Sequence, residues 1–271
     1  MITNTLISKT LEAGLLPRTL AGGRVQPDGH RSWRLTIPEG PRGQYRLAQL
    51  DDYSSLGRSD FLWRPPLELH LRARCSRPAL PGTWGFGFWN DPFSAKLGIA
   101  GGGRRLPVLP DAVWFFFASP ENHLTLNDRI PASGALSATF SSRRLPSILL
   151  AAGLLSLPFL YIRPAARLLR RAAGRIVNQD AAKIPEQSGK SGSVADWREY
   201  SIYWSPAEAV FEVDGAAVLN TRIVPAGPLG LVIWIDNQFA ALPADGGVSF
   251  GSLANPEPAW IEISDLVLRG E

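Results

Sequence analysis

The strongest constraint on the fold of this chain is a strict two-residue alternation of apolar and polar side chains. In residues 67–76 (LELHLRARCS), apolar side chains take the odd positions, whereas Glu68, His70, Arg72 and Arg74 take the even ones. This period of two places the apolar side chains on one face of an extended strand and the charged ones on the other. The pattern is typical of an antiparallel strand with one buried face.

Similar segments recur along the chain and are separated by turns rich in proline and glycine, of which there are 23 and 26. Asp214–Gly215, between VFEV and AAVL, is typical of a hairpin turn. Strands at this spacing predict an all-β fold, either a sandwich or a jelly roll. The predicted strands are 32–37, 44–49, 67–76, 82–91, 112–120, 199–204, 209–219, 229–236 and 260–268.

A helical pattern interrupts the strands at about 145–178. Residues 147–162 are apolar on all sides, but as a helix they would span about 24 Å, short of a hydrocarbon core of roughly 30 Å. Pro164 suits the first turn of a second helix, which has an apolar stripe. Four arginines lie largely opposite that stripe, namely Arg167, Arg170, Arg171 and Arg175.

The polar tract that follows is predicted to be a flexible loop, so we interpret 145–193 as a segment inserted into one β-sandwich domain spanning 1–271. Three interpretations of the insertion stay open. Its helices pack on the sandwich, or they form a lid over an apolar cavity. In the third interpretation the four arginines contact an anionic membrane surface.

Charge is distributed unevenly along the chain. The net charge is +4, yet no Asp or Glu occurs between Asp128 and Asp180, a stretch that contains eight arginines. A nucleic-acid-binding surface would need basic residues spread over a face, so we expect no nucleic acid partner. Nothing in the sequence sets the oligomeric state.

The N-terminal residues lack the basic start and apolar core of a secretory signal, so we expect a cytoplasmic protein, with peripheral membrane attachment left open. The single cysteine, Cys75, excludes an internal disulfide and a zinc site built from cysteines. We predict no metal site and no cofactor.

The order of several segments resembles the concanavalin A-like lectin/glucanase superfamily, and most narrowly the family 16 glycoside hydrolases. In that family a Trp-rich strand opens with G-x-W, and a His-x-Tyr-x-x-x-Trp segment precedes a strand that ends in Asp-Gly. Tyr200, Trp204, Asp214 and Gly215 stand at matching positions, and Arg198 stands where the family has His. The resemblance covers about 60–125 and 195–270. It implies a concanavalin A-like β-sandwich (jelly roll), into which the residue pattern places the helical insertion at about 145–178. A structural calcium ion is implied by the resemblance alone.

The catalytic carboxylates of that family lie on a strand that reads roughly E-x-D-x-x-E. A retaining glycosidase holds two carboxyl groups about 5–5.5 Å apart. The corresponding strand of this chain, AVWFFFASP (112–120), has no carboxylate. We therefore predict no catalytic residues, and a divergent hydrolase with relocated carboxylates Asp91, Glu121 and Asp236 is the alternative.

Aromatic side chains are the candidate ligand-binding groups, because large rings suit both core packing and stacking against a sugar. Gly85 and Gly87 leave one face of their strand thinly covered, which often marks the close approach of a ligand or another backbone. We predict non-catalytic, lectin-like binding of a carbohydrate or an apolar small molecule in an aromatic-lined cleft. A peripheral membrane protein acting through the basic insertion is a further alternative. The candidate residues are Trp84, Trp89, Trp114, Phe116, Trp204, Trp234 and Asp236.

Overall fold

The computed structural model describes residues 14–92, 105–143, 145, 150, 161–185 and 193–270, in which two seven-stranded antiparallel sheets pack face to face. We call them the front sheet and the back sheet. In spatial order the front sheet contains β1 (Leu16–Leu20), β4 (Leu47–Asp51), β13 (Gly230–Asp236), β6 (Thr83–Trp89), β7 (Ala112–Ala118), β8 (Gly134–Ser142) and β9 (Val177–Lys183).

The back sheet contains, in spatial order, β12 (Ala216–Thr221), β11 (Ala209–Val213), β10 (Arg198–Trp204), β5 (Leu67–Cys75), β16 (Ala259–Gly270), β3 (Trp33–Ile37) and β2 (Arg24–Pro27). A small hairpin pairs β14 (Gln238–Ala241) with β15 (Ser249–Ser252). The helical elements named within the described residues are a 3₁₀ turn (Arg58–Asp60) and helix α1 (Arg163–Ala173).

The hydrophobic core lies between the two sheets and is filled by alternate residues of both. Phe115 of β7 packs edge to face on Tyr200 of β10 and on Phe211 of β11, with ring centroids 5.0 and 5.3 Å apart. All three rings are buried. Burying one such ring stabilises a fold by about 1.5–3 kcal/mol, so these aromatic contacts stabilise the packing of the front sheet on the back sheet.

The all-β prediction is confirmed, and so is the hairpin between β11 and β12. Asp214 and Gly215 have φ values of 52° and 75°, the left-handed conformation that a tight hairpin turn needs. Arg198, which replaces the family's histidine, is buried and donates its Nε–H to Asp214 Oδ2 over 2.8 Å. This ion pair, together with the hydrogen bond from Glu199 N–H to Asp214 Oδ1, holds the turn.

The secondary structure predicted for the second half of the segment 145–193 is wrong. Helix α1 ends at Ala173, and Val177–Lys183 forms β9 instead of a helix end and a polar loop. This strand pairs with β8 at the edge of the front sheet, where a strand has one neighbour and needs little apolar surface. The first predicted helix, 147–162, lies almost entirely outside the described residues.

The buried face of helix α1 differs from the apolar stripe predicted from the sequence. Arg170 points inward, where it pairs with Asp128 and donates to the carbonyl oxygen of Leu242. Leu168, which the sequence places in the apolar stripe, is 69% exposed. The prediction of Arg170 as a membrane contact is therefore wrong, because its guanidinium group is buried and bonded to groups of the fold itself.

Candidate functional site

The candidate site is the front face, by which we mean the side of the front sheet that points away from the core. Because side chains alternate along a strand, Phe115 enters the core while its neighbours Trp114 and Phe116 point to the front face. Trp89 of β6 and Trp234 of β13 lie beside them. We call Trp89, Trp114, Phe116 and Trp234 the aromatic floor, and the sequence predicted all four as binding residues.

Trp114 lies at the centre of the aromatic floor. Its ring centroid is 5.8 Å from Trp89, 5.3 Å from Phe116 and 5.3 Å from Trp234. Phe116 and Trp234 are buried, whereas Trp89 and Trp114 are partly exposed. A ligand on this face would therefore reach Trp89 and Trp114 first.

The space left by Gly85 is filled by the protein itself. A Cβ atom at Gly85 would overlap the carbonyl oxygen of Phe115 and lie 2.7 Å from Cη2 of Trp234. The indole of Trp234 is fixed there because its Nε1–H donates to Thr83 Oγ1 over 3.0 Å. The glycine thus marks the close approach of an indole ring, not of a ligand.

Gly85→Ala is expected to lower the free energy of unfolding by about 1–3 kcal/mol, because the added methyl group must displace backbone or the ring of Trp234. Gly247→Ala is the control, since its added Cβ would meet nothing closer than Asp245 Oδ1 at 3.5 Å. Denaturant unfolding of both variants measures the difference. Equal effects at the two positions would show that the packing over Gly85 is loose.

Two of the predicted binding residues, Trp84 and Trp204, lie in the core between the sheets and not on the front face. Trp84 stacks on Phe117 inside the core at a centroid distance of 3.6 Å, and Trp204 packs on Phe88 at 5.8 Å. Trp204 also donates its Nε1–H to the carbonyl oxygen of Pro225. The prediction of ligand contact is wrong for both, because their strands direct these side chains between the sheets.

Tyr53 connects the aromatic floor to a polar network that the sequence analysis missed. Its hydroxyl oxygen accepts hydrogen bonds from Trp89 Nε1 (2.7 Å) and Gln49 Nε2 (3.2 Å). Gln49 also donates to Asp51 Oδ2 over 2.7 Å. Burial raises the pKa of Tyr53 well above its ordinary value, so the phenol stays neutral and holds the edge of Trp89.

Asp236 lies at the end of β13 and is buried among donors. Its Oδ1 accepts from the backbone N–H and hydroxyl of Thr83 and from the N–H of Gln238, at 2.9–3.2 Å. Tyr45 OH lies 3.5 Å from Oδ2. Burial raises the pKa of Asp236 to about 7, although these hydrogen bonds lower it. The carboxyl group is thus enclosed by partners from its own fold.

Asp91 is held in a buried ion pair at the other end of β6. Arg105 Nη1 lies 2.5 Å from Asp91 Oδ2, and the Arg105 guanidinium also donates to the carbonyl oxygens of Tyr53 and Leu56. Burial raises the pKa of Asp91, and the charges of Arg105 and Arg58 oppose that rise. Arg105 was absent from the sequence-based site because its partners lie far away in the chain.

The register of the front sheet separates Asp91 from both of the other candidate carboxylates. Asp236 pairs with Thr83, the first residue of β6, whereas Asp91 follows Trp89, the last one. Six residues of strand correspond to about 20 Å. Glu121 is exposed in the turn after β7, at the Asp236 end of the sheet. Asp91 therefore forms no glycosidase pair with either, since such pairs are about 5–9.5 Å apart.

A small apolar cavity of about 40 Å³ lies beside the aromatic floor, between Trp114 and Phe116 on one side and Leu124 and Ile130 on the other. This volume holds about one water molecule and no sugar ring. Trp114 Nε1 is buried and has no hydrogen-bond partner among the residues that the structure describes. Any larger ligand must therefore lie over the exposed parts of the floor.

A metal site in a protein is built from several metal-binding side chains that lie close together. In the part of the chain that the structure describes, no group of three or more His, Cys, Asp or Glu side chains that could hold a metal ion occurs. Among the described helices, none has the length and apolar character needed to cross a membrane.

The chain is similar to solved structures with lectin and glucanase folds. A legume lectin-like domain from Entamoeba histolytica is 8% identical, with a TM-score of 0.49 over 97% of this chain and 92% of that chain. A family 16 endo-glucanase from Bacteroides ovatus is 8% identical, with a TM-score of 0.47 over 94% and 95%. The catalytic domain of a laminarinase from Thermotoga petrophila is 11% identical, with a TM-score of 0.41 over 89% and 80%. No protein-family model and no curated protein sequence matches the chain.

Proposed function

We propose that the front face binds a carbohydrate without cleaving it, and that a sugar ring lies against Trp89 and Trp114. The observation that carries this proposal is the pair of partly exposed indoles, with centroids 5.8 Å apart and planes 35° apart. Aromatic faces of this kind suit flat, partly apolar ligands. Carbohydrate is the ligand class implied by the sequence resemblance.

The two indoles are held in place before any ligand arrives. Trp89 donates to the hydroxyl of Tyr53, and Trp114 is flanked by Phe116, Trp234 and Phe140, the last in an edge-to-face contact at 6.0 Å. A surface that is already ordered loses little side-chain entropy on binding. This rigidity supports a binding role for the floor.

The chemistry at the floor supports binding without hydrolysis. The front-face positions of β7 are Ala112, Trp114, Phe116 and Ala118, so this strand presents rings and methyl groups. Asp91 is paired with Arg105, and Asp236 is enclosed by four donor groups. Glycoside hydrolysis needs two carboxyl groups facing one bond.

Trp114 Nε1–H is a buried donor beside the small cavity, and the described residues give it no acceptor. A buried donor without an acceptor costs about 1–3 kcal/mol, and a water molecule or a ligand hydroxyl oxygen would remove that cost. A ligand over the exposed part of the Trp114 ring would reach this N–H through a water molecule in the small cavity.

Titration calorimetry with laminarin and lichenan tests the proposal. Trp114→Ala is expected to weaken binding by about tenfold or more, equivalent to about 1.4 kcal/mol, because the central ring is lost. Trp260→Ala, which removes a partly exposed indole from the back sheet, is the matched control and should leave affinity unchanged.

Three results would contradict the proposal: no binding of either glucan, equal losses in the two variants, or release of reducing sugar by the unaltered protein. The last result would favour a hydrolase. Binding of an apolar dye in place of the glucans, weakened by Trp114→Ala alone, would identify an apolar ligand at the same floor.

A further inference from the structure

A groove between helix α1 and the loop before β8 is strongly basic. It has a volume of about 460 Å³ and lies on the side of α1 that faces residues 126–129. We call it the basic groove. Its charged lining residues are Asp128, Arg129, Arg167, Arg170, Arg171 and Arg175.

Only one of the five arginines is neutralised by the described residues. Arg170 Nη2 lies 2.5 Å from Asp128 Oδ1 and Nη1 lies 3.3 Å from Oδ2, so this carboxylate is fully engaged. Within the described part of the chain, no carboxylate lies within ion-pair distance of the other four arginines. The groove therefore carries a concentrated positive charge.

The spacing of these arginines is not explained by helix stability. Arg167 and Arg171 lie one helical turn apart, where like charges repel. The partial negative charge at the C-terminus of α1 favours Arg171 and Arg175, but not Arg167 or Arg129. An external anion would relieve the repulsion, and phosphate matches the planar donor fork of a guanidinium.

Exposed apolar side chains adjoin the basic groove. Leu168 is 69% exposed and follows Arg167, while Ile162 and Tyr161, just before α1, are 53% and 68% exposed. Free phosphate would not use these side chains. Exposed apolar side chains beside exposed basic ones are typical of a helix that lies in the headgroup region of a bilayer.

We propose that α1 and the basic groove dock on an anionic phospholipid bilayer. The guanidinium groups of Arg129, Arg167, Arg171 and Arg175 contact lipid phosphates, and the side chains of Leu168 and Ile162 enter the boundary between headgroups and acyl chains. This proposal does not rest on glycan binding, because the residues that line the groove are not those of the aromatic floor.

Cosedimentation of the full chain with vesicles tests this proposal. Vesicles of phosphatidylcholine with 30% phosphatidylserine are compared with pure phosphatidylcholine at 0.1 and 0.5 M NaCl. We expect binding to the anionic vesicles only, and weaker binding at high salt, because the screening length falls from about 10 Å to about 4 Å.

Arg167→Gln, Arg171→Gln and Arg175→Gln combined should weaken partition by about 100-fold, since each basic residue near an anionic surface contributes roughly fivefold. The matched control changes three exposed arginines outside the groove: Arg24→Gln, Arg42→Gln and Arg64→Gln. A third variant, Leu168→Gln, keeps the charge and should weaken partition through the loss of apolar contact. Thermal unfolding confirms that each variant is folded.

The proposal is overturned by absence of binding to anionic vesicles, or by equal losses in the two triple variants, which would indicate general charge attraction. It is also overturned if inositol hexakisphosphate binds the groove tightly while Leu168→Gln leaves vesicle binding unchanged. That result would identify a site for a soluble phosphorylated ligand.

Discussion

Replacing Arg105 with methionine is expected to lower the free energy of unfolding by about 3–5 kcal/mol at pH 7, because it leaves the carboxylate of Asp91 buried without its partner. The side chains of Asp91 and Arg105 are only 4% and 11% exposed. The substitution also removes donors to the carbonyl oxygens of Tyr53 and Leu56, which anchor the loop over the edge of the front face. Denaturant unfolding at constant pH measures the loss.

The pH dependence of this loss identifies its cause. Burial already raises the pKa of Asp91, and removal of Arg105 takes away the main opposing charge. A carboxyl group whose pKa is raised in the folded state contributes stability that is fully present below its unfolded pKa of about 3.9, and this stability is lost as pH rises through the folded pKa. The deficit of Arg105→Met should therefore shrink toward low pH.

The double variant Asp91→Asn, Arg105→Met is the control for the unpaired charge. Asn tolerates the left-handed backbone at position 91, where φ is 48°, and carries no charge. We expect it to recover much of the stability lost by Arg105→Met. A double variant no more stable than the single one would show that the loss comes from packing and the carbonyl contacts.

The central strands of both sheets could be predicted from the sequence because their residue patterns are unambiguous. Strand β5 alternates strictly, and strands β7 and β13 are apolar on both faces, as expected when the front face is covered by the protein's own rings. The edge strands β1 and β9 carried no such pattern. Each has a single neighbour, so polar side chains are tolerated along most of its length.

The composition of the aromatic floor was partly encoded in the parity of residue positions. Trp84 and Trp89 lie an odd number of residues apart on one strand, so they must point to opposite faces. Applied to β6, this rule would have removed Trp84 from the site. The ring contacts could not be predicted, because they depend on which strands are neighbours in the sheet.

The inward orientation of Arg170 was not predicted from the sequence, and for a different reason. A helical stripe drawn from hydrophobicity places arginine in solvent, yet here Asp128 and the carbonyl oxygens of Leu242 and Thr125 collect around its guanidinium. These partners are 42 or more residues away in sequence. Only the tertiary fold brings them to one point, and it leaves Leu168 on the exposed side.

Asp236→Asn is expected to raise the free energy of unfolding at pH 8, on the order of 3 kcal/mol. Burial raises the pKa of Asp236 from 3.8 to about 7, so at pH 8 the folded protein carries a buried negative charge. Asn is neutral, and its Oδ1 can accept the same hydrogen bonds from Thr83 and Gln238. Its amide nitrogen would lie near Tyr45 OH, where Oδ2 is now 3.5 Å away.

The advantage of Asp236→Asn should depend on pH with a definite sign. The folded state holds the Asp236 proton more tightly than the unfolded state, so the stability of the unaltered protein falls as pH rises from about 4 through 7. The difference between variant and parent should therefore be largest near pH 8, smaller at pH 5 and absent below about pH 4. Asp52, whose pKa burial also raises to about 7, titrates equally in both proteins and cancels in the comparison.

Asp28→Asn makes the same chemical change at an exposed position, so the stability difference between this variant and the unaltered protein should not change with pH. If Asp236→Asn destabilises the fold at pH 8, the ionised carboxylate of Asp236 has net favourable hydrogen bonding there, and burial does not raise its pKa as far as about 7.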